Sequence, residues 1–182
     1  MRLFLVCHCP TSATRVAAFP EDEPPEADSL ARAAKLGAGL GRVERLWHGP
    51  ERRAVETASA LGLGAAPEAE PALRDIAVGA WAGRSLGQVQ RDAPEALLAW
   101  LSDPEAAAPG GESVAMVVAR TAAWLAAVPE ARRGVAVVPQ AIFRAAVVSL
   151  LGAPPASFWR IDAPPLARVA LSRRDGRWSV RF

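Results

Sequence analysis

The chain has 182 residues, of which 51% are hydrophobic and 22% charged. It is therefore long enough to bury a core without cross-links and too apolar for wholesale disorder. The formal net charge is only +2 and the arginines are scattered, which argues against a nucleic-acid-binding stripe and a polybasic membrane patch. We expect one domain over residues 1–182, with no nucleic-acid partner and no membrane partner.

The first residues, MRLFLV, form an apolar stretch that is too short for a signal peptide, and no apolar run approaches the ~18 residues of a membrane span. We therefore expect a cytoplasmic protein, in which thiols stay reduced. The two cysteines, Cys7 and Cys9, are too close in sequence for a useful disulfide.

Short runs rich in Val and Leu alternate with longer helical patterns along the chain. The runs predicted as strands are residues 3–6, 43–47, 135–138, 168–172 and 178–182. The dipeptide Asp175-Gly176 predicts a tight hairpin between the last two strands. The loops expected in this pattern are residues 20–25 and 104–111.

The helical patterns lie between these strands. One helix is predicted to be capped by Asp28 or Ser29, and a second to begin at Pro50. A third pattern, residues 85–101, is expected to break before Pro94. The last two cover residues 112–128 and 141–151. The inward-facing positions predicted for the first two helices are Leu30, Ala33, Leu36, Leu40, Ala54, Thr57, Ala58 and Leu61.

This alternation predicts an α/β fold, a three-layer α/β/α sandwich with a mostly parallel sheet and an antiparallel C-terminal hairpin. Ligands of such folds bind beyond the carboxyl ends of the strands. Three strand ends carry polar groups, in the order Cys7-His8-Cys9, Trp47-His48-Gly49 and Val138-Pro139-Gln140. Arg53 follows in the first turn of a predicted helix, where the helix dipole and a guanidinium favour an anion.

These segments form an ordered set of motifs. After the strand that leads to His8, Pro10 and Thr11 come GPERRAVETASAL, ALRDIAVGAWAG, GGES and GVAVVPQAIFRAAVVSLLG. This order and spacing resembles the histidine phosphatase superfamily, the phosphoglycerate-mutase-like proteins, from Leu3 to about Leu171. The resemblance implies the three-layer fold described above.

The resemblance also implies a mechanism in which a histidine attacks phosphorus and water hydrolyses the phosphohistidine. Matched to this sequence, His8 is the nucleophile, Arg53 a phosphate clamp and Asp75 the acid that protonates the leaving oxygen. Thr11 is expected to line the same pocket. Neutral imidazole is a competent nucleophile at physiological pH.

Several positions depart from the family pattern. Cys7 replaces the arginine expected before the nucleophile, and Cys9 the glycine expected after it. His48 stands near the serine of the second motif, and Gln140 most nearly occupies the place of the second catalytic histidine. We expect these four side chains to face the pocket. Arg15 and Arg144 follow strand ends and are candidate replacements for the missing cations.

Three functions are compatible with this altered motif set. The first is a weakened or retuned phosphomonoesterase that acts on a small phosphorylated metabolite without a cofactor. The second is an inactive pseudophosphatase that binds an anionic ligand or a protein partner. The third is a soft-metal site built from Cys7, His8, Cys9 and His48. Successive strand residues face opposite sides of a sheet, which disfavours the third function, and we expect no bound metal.

Overall fold

The computed structural model describes residues 1–181, and a six-stranded sheet forms its centre. The strands are β1 (Arg2–Cys7), β2 (Arg45–His48), β3 (Pro67–Ala69), β4 (Arg133–Val138), β5 (Arg168–Arg174) and β6 (Arg177–Arg181). Their order across the sheet is β3-β2-β4-β1-β5-β6. The first four are parallel, and β5 and β6 form the predicted antiparallel hairpin.

The expectation that the first three predicted strands share one sheet is confirmed, with β4 between β1 and β2. The register pairs Cys7 with Val138, and His48 with Val137. The carboxyl ends of the three strands therefore lie at one edge of the sheet. Phe182, the predicted last residue of the final strand, lies outside the described residues.

Helices cover both faces of this sheet, which gives the predicted three-layer arrangement. The α-helices are α1 (Ser12–Arg15), α2 (Ala27–Leu40), α3 (Arg52–Ala60), α4 (Leu86–Asp92), α5 (Pro94–Ser102), α6 (Val114–Ala127) and α7 (Gln140–Leu150). One core cluster joins α2 and α3 to one face of the sheet, and another joins α6 and α7 to the opposite face. A third apolar cluster, which includes residues of α4 and α5, forms separately. Within residues 1–181, no helix combines the length and apolarity needed to cross a bilayer.

The element boundaries differ from the sequence predictions at several points. Glu26, not Asp28 or Ser29, is the N-cap of α2, and Ser29 lies in the first turn, where its hydroxyl donates to the Glu26 carbonyl at 2.5 Å. The predicted start of α3 at Pro50 is wrong, because the helix begins at Arg52 after the N-cap Glu51. The predicted break before Pro94 is confirmed, since α4 ends at Asp92 and α5 begins at Pro94.

Two further differences concern strands. β2 runs to His48, one residue beyond the predicted end, and this decides where the His48 side chain lies. β3 was not predicted, since it contains only three residues, begins with a proline and lies at the sheet edge. Edge positions are where a strand accommodates proline, so its sequence carries little strand signal.

A close contact between α2 and α3 fixes the helix that carries Arg53. A Cβ atom placed on Gly37 would lie 1.8 Å from the carbonyl oxygen of Leu61. Only glycine therefore allows this backbone approach. The contact sets the position of α3 against the sheet.

Candidate active site at the carboxyl ends of the strands

A cavity of about 750 Å³ opens beyond the ends of β1 and β4. Its volume lies in the range of ordinary small-molecule sites, roughly 300–1,000 Å³. Seven of the ten predicted site residues line it, namely His8, Thr11, Arg15, Arg53, Asp75, Gln140 and Arg144. Chain segments far apart in sequence thus meet around one space.

His8 is the first residue after β1, and only 4% of its surface is exposed. Its backbone N–H donates to the Val138 carbonyl at 3.1 Å, which ties it to the end of β4. Ring atom Nδ1 lies 2.6 Å from the carbonyl oxygen of Cys9. Because a carbonyl only accepts, Nδ1 carries the proton, and in the neutral ring Nε2 keeps its lone pair.

The electrostatic surroundings keep the His8 ring neutral. Burial is the main cause that lowers its pKa below the usual 6.5, and the Arg53 charge lowers it further. The hydrogen bond to Cys9 and the Asp75 carboxylate act in the opposite direction without reversing the shift. At neutral pH the site therefore holds an imidazole with a nucleophilic nitrogen.

Arg53 lies in the first turn of α3 and is buried. Its Nη2 donates to Oδ2 of Asp75 at 2.8 Å, and its Nη1 donates to the Glu21 carbonyl at 3.1 Å. Thr57, one turn later, accepts a hydrogen bond from the Cys9 N–H at 3.0 Å and donates to the Arg53 carbonyl at 2.6 Å. These bonds connect α3 to the loop that carries His8.

Asp75 lies on a loop that carboxylates hold in place. Oε1 of Glu51 accepts the backbone N–H of Asp75 at 2.6 Å, and burial raises the pKa of Glu51. Glu112, from the GGES motif, pairs with Arg74 at 2.6 Å and accepts the Ala77 N–H at 3.0 Å. The motif glutamate therefore positions the loop on both sides of Asp75.

Arg144, from the second turn of α7, brings a further cation to the cavity wall. Its Nε donates to the Ile161 carbonyl at 2.9 Å. Its guanidinium carbon lies 5.6 Å from the ring centre of Trp159 and 5.9 Å from that of Phe158. Among residues 1–181, no group accepts a hydrogen bond from its two terminal nitrogens. Arg144 can therefore donate to a ligand, although burial lowers its pKa.

Arg15 differs from Arg144 because its charge is already compensated. It makes two bonds to the Glu26 carboxylate, at 2.6 and 2.5 Å, and its side chain is 69% exposed. Thr11 is fully buried as the N-cap of α1, where its hydroxyl accepts the Thr14 N–H at 3.3 Å. Gln140 is the first residue of α7 and offers an uncharged amide at the cavity wall.

The structure does not bring Cys7, Cys9 and His48 to the cavity. Cys7 ends β1 and packs in the core cluster of α6 and α7, where burial raises the pKa of its thiol to about 12. Cys9 belongs to the core cluster on the opposite face. His48 is the last residue of β2 rather than the first beyond it, and its Nδ1 donates to the Gly49 carbonyl at 2.7 Å. Within residues 1–181, no group of three or more His, Cys, Asp or Glu is arranged to hold a metal ion.

Sequence reasoning missed the aromatic part of the cavity wall. Phe19, Trp100, Phe158 and Trp159 all line it. They come from a loop, from α5 and from the 3₁₀ helix Pro155–Arg160, so no periodic pattern connects them. The available signal was compositional: the chain has six tryptophans and no tyrosine.

A sequence comparison decides the family. The family model described as the histidine phosphatase superfamily (branch 1) matches residues 3–182. The chain belongs to the histidine phosphatase superfamily. A curated relative, the glucosyl-3-phosphoglycerate phosphatase of Mycobacterium tuberculosis, is 42% identical over 72 residues, which are 38% of this chain and 32% of the relative. The aligned part thus spans about a third of that relative's length.

Solved structures of several phosphatases superpose over nearly the whole chain. A mycobacterial glucosyl-3-phosphoglycerate phosphatase complexed with VO3 has a TM-score of 0.85 and 27% identity, covering 99% of this chain and 96% of its own. A phosphoserine phosphatase mutant from Entamoeba histolytica, in complex with phosphoserine, has a TM-score of 0.89 at 16% identity, covering 100% and 95%. The second likeness concerns the fold alone.

Proposed function

We propose that this protein hydrolyses the phosphomonoester of a small metabolite through a phosphohistidine at His8, more slowly than family members with the full motif set. The observation that carries the proposal is the state of His8. Its ring is held neutral, with the proton on Nδ1 and the lone pair on Nε2, in a cavity that also contains Arg53 and Arg144. The mycobacterial phosphatase relatives support this chemistry.

In the proposed reaction, Nε2 of His8 attacks phosphorus and forms the P–N bond. The P–O ester bond breaks, its electron pair stays on the leaving oxygen, and Asp75 relays to that oxygen the proton of the phosphate monoanion, so that an alcohol leaves. Water, deprotonated by Asp75, then attacks phosphorus and displaces His8, and inorganic phosphate leaves. Arg53 and Arg144 stabilise the negative charge on the equatorial phosphoryl oxygens.

The slow rate follows from two positions in the motif set. Cys7 and Gln140 stand where the family pattern has a fixed cation and a titratable one, and neither carries charge at neutral pH. Loss of one donor to a transferring group typically costs about 100- to 1,000-fold in rate. We propose that Arg144 recovers part of this loss, because its terminal nitrogens have no protein acceptor among the described residues.

The test compares two histidine variants on p-nitrophenyl phosphate. His8→Ala should abolish turnover and the acid-labile, alkali-stable phosphoprotein formed during turnover. His48→Ala is the matched control, since His48 is similarly buried and makes the same type of Nδ1–carbonyl bond outside the cavity. Hydrolysis that persists in His8→Ala, or that is lost equally in both variants, would refute the role of His8.

A second function is favoured by one specific observation. Each terminal nitrogen of Arg53 already donates one hydrogen bond, to the Asp75 carboxylate or to the Glu21 carbonyl, and keeps one further N–H for an anion. A pseudophosphatase needs only this remaining capacity, whereas turnover also needs Asp75, which is held in an ion pair with Arg53, to act as the acid. Vanadate or phosphate binding by a natural protein that forms no phosphohistidine would establish this second function.

A further inference from the structure

The cavity that contains His8 also has an extended aromatic wall. Phe19 meets the ring of Trp100 at 5.8 Å between ring centres, and Trp100 meets Trp159 at 4.7 Å. Trp159 in turn packs on Phe158 at 4.8 Å. All four rings line the same cavity as His8. They form one continuous row of packed rings, which we call the aromatic wall; Phe19 and Trp159 are its partly exposed members, and Trp100 and Phe158 are buried behind them.

The aromatic wall is preorganised. Behind it, Trp81 packs on Phe19 at 5.4 Å and on Trp100 at 5.7 Å, with edge or tilted geometry. Trp81 and Trp100 are buried in the third core cluster. Aromatic pairs of this kind are favourable beyond their buried area and restrict side-chain rotation. A ligand that binds here meets rings that are already ordered.

Arg144 joins the aromatic wall to the catalytic end of the cavity. Its guanidinium lies over the rings of Trp159 and Phe158. Arg144 and Asp75 line the same cavity, and Asp75 pairs with Arg53. The phosphoryl site and the aromatic wall are therefore neighbours around one cation.

Two exposed aliphatic side chains adjoin the cavity. Leu86 and Leu101, from α4 and α5, are 42% and 41% exposed and both line the cavity. Single exposed leucines are ordinary on protein surfaces, but apolar groups that adjoin a cavity of aromatic side chains mark a binding surface for an apolar group. If a phosphoryl group binds next to His8, the apolar group on this surface is the part of the same ligand that is attached to it.

From this arrangement we infer the substrate class: a phosphomonoester whose alcohol carries an aromatic or bulky apolar group, with the phosphoryl end at His8 and the apolar group on the aromatic wall. The inference rests on the proposed function for the orientation of the phosphoryl group. It predicts weaker binding of polar sugar or glycerate phosphates, because hydroxyl groups placed against Phe19 and Trp159 would lose water without regaining hydrogen bonds there. Glu23, Asp28 and Arg32 line the same cavity, and a polyol ligand tests whether they compensate.

Binding of two non-hydrolysable phosphonates to the natural protein tests the inference without turnover. One is 3-phenylpropylphosphonate, and the other is 4,5,6-trihydroxyhexylphosphonate, a polyol of similar length. Burying a phenyl group on the wall should make the first bind about 10- to 100-fold more tightly by titration calorimetry. Equal affinities, tighter binding of the polyol, or binding of neither compound would overturn the inference.

A pair of leucine variants on α5 localises the effect. Leu101→Gln should weaken binding of 3-phenylpropylphosphonate about 3- to 10-fold, with little effect on the polyol. Leu98→Gln is the matched control, because Leu98 is 66% exposed on the same helix and does not line the cavity. Equal effects of the two substitutions, or an equal loss for both ligands in Leu101→Gln, would also overturn the inference.

The substrate class and the proposed phosphatase activity can be confirmed or refuted independently of each other. Aromatic preference in phosphonate binding, together with no hydrolysis of any phosphomonoester, would leave the substrate class standing and refute only the phosphatase activity. Turnover that depends on His8 without any aromatic preference would support the phosphatase activity and refute the substrate class. Faster hydrolysis of 2-phenylethyl phosphate than of phosphoserine, both esters of primary alcohols, is expected when both proposals hold.

Discussion

Replacing Arg144 by methionine tests the cation that is proposed to compensate for the altered motif positions. Methionine keeps an unbranched apolar stem against Phe158 and Trp159, so the change removes mainly charge and donors. A fixed donor to a transferring group is typically worth about 100- to 1,000-fold in rate. Because Arg144 is only partly buried, solvent screens its charge, and we expect a loss of about 10- to 100-fold in kcat/KM.

The same substitution has a structural consequence that can be measured separately. It deletes the hydrogen bond from Nε to the Ile161 carbonyl, and a net hydrogen bond contributes about 1 kcal/mol. In a chain of 182 residues this lowers Tm by roughly 2–4 °C. The loss of activity should therefore be present well below the melting range, where the variant is folded.

The assay is hydrolysis of p-nitrophenyl phosphate at several pH values, with circular dichroism as the folding control. Arg160→Met is the matched variant, since Arg160 is an exposed arginine at the end of the 3₁₀ helix and does not line the cavity. Arg144→Lys should retain part of the rate because it retains the charge. The reasoning is refuted if Arg144→Met stays within about 3-fold of the natural protein, a change too small for a donor to the transferring group.

Three other predictions concern the remaining groups of the site. Asp75→Asn should slow an alkyl phosphate about 100-fold and p-nitrophenyl phosphate far less, because nitrophenolate leaves without a proton; equal losses would contradict the acid role. Gln140→His should raise kcat about 10-fold or more by restoring a titratable cation, whereas no gain, or the same gain in Gln140→Ala, would contradict this. In the pH profile of kcat/KM, the decrease on the acid side should have its midpoint below pH 6.5, since burial lowers the His8 pKa. Below pH 6.5 the unfolded chain binds a proton at His8 that the folded chain does not, so the free energy of unfolding should decrease as the pH falls through 6.5. This decrease should be smaller in His8→Ala. A kinetic midpoint above pH 6.5 would contradict the lowered pKa.

Local sequence patterns predicted the layers of the fold and three residues that line one cavity. Alternating strand and helix periods predict a parallel sheet covered on both faces, and the structure confirms it. His8, Arg53 and Asp75 were identified from ordered motifs, and all three line one cavity. Such patterns are readable because hydrophobic periodicity and motif order depend on neighbouring residues, whereas the boundaries of α2, α3 and β2 differed from the prediction.

The tertiary structure decided which side chains reach the cavity. His48 remains inside β2 because that strand pairs one residue further than its own sequence indicates, and Cys7 and Cys9 lie in core clusters on opposite faces of the sheet. Within residues 1–181 the terminal nitrogens of Arg144 have no acceptor, whereas those of Arg53 donate one hydrogen bond each, to Asp75 and Glu21. Both outcomes depend on how distant segments of the chain pack. The aromatic wall joins three segments that share no periodicity. The motifs by themselves predicted the histidine phosphatase superfamily, which the family model confirms. Long-range packing decided which charged and aromatic side chains line the cavity, because a side chain's exposure and partners depend on residues that only folding brings together.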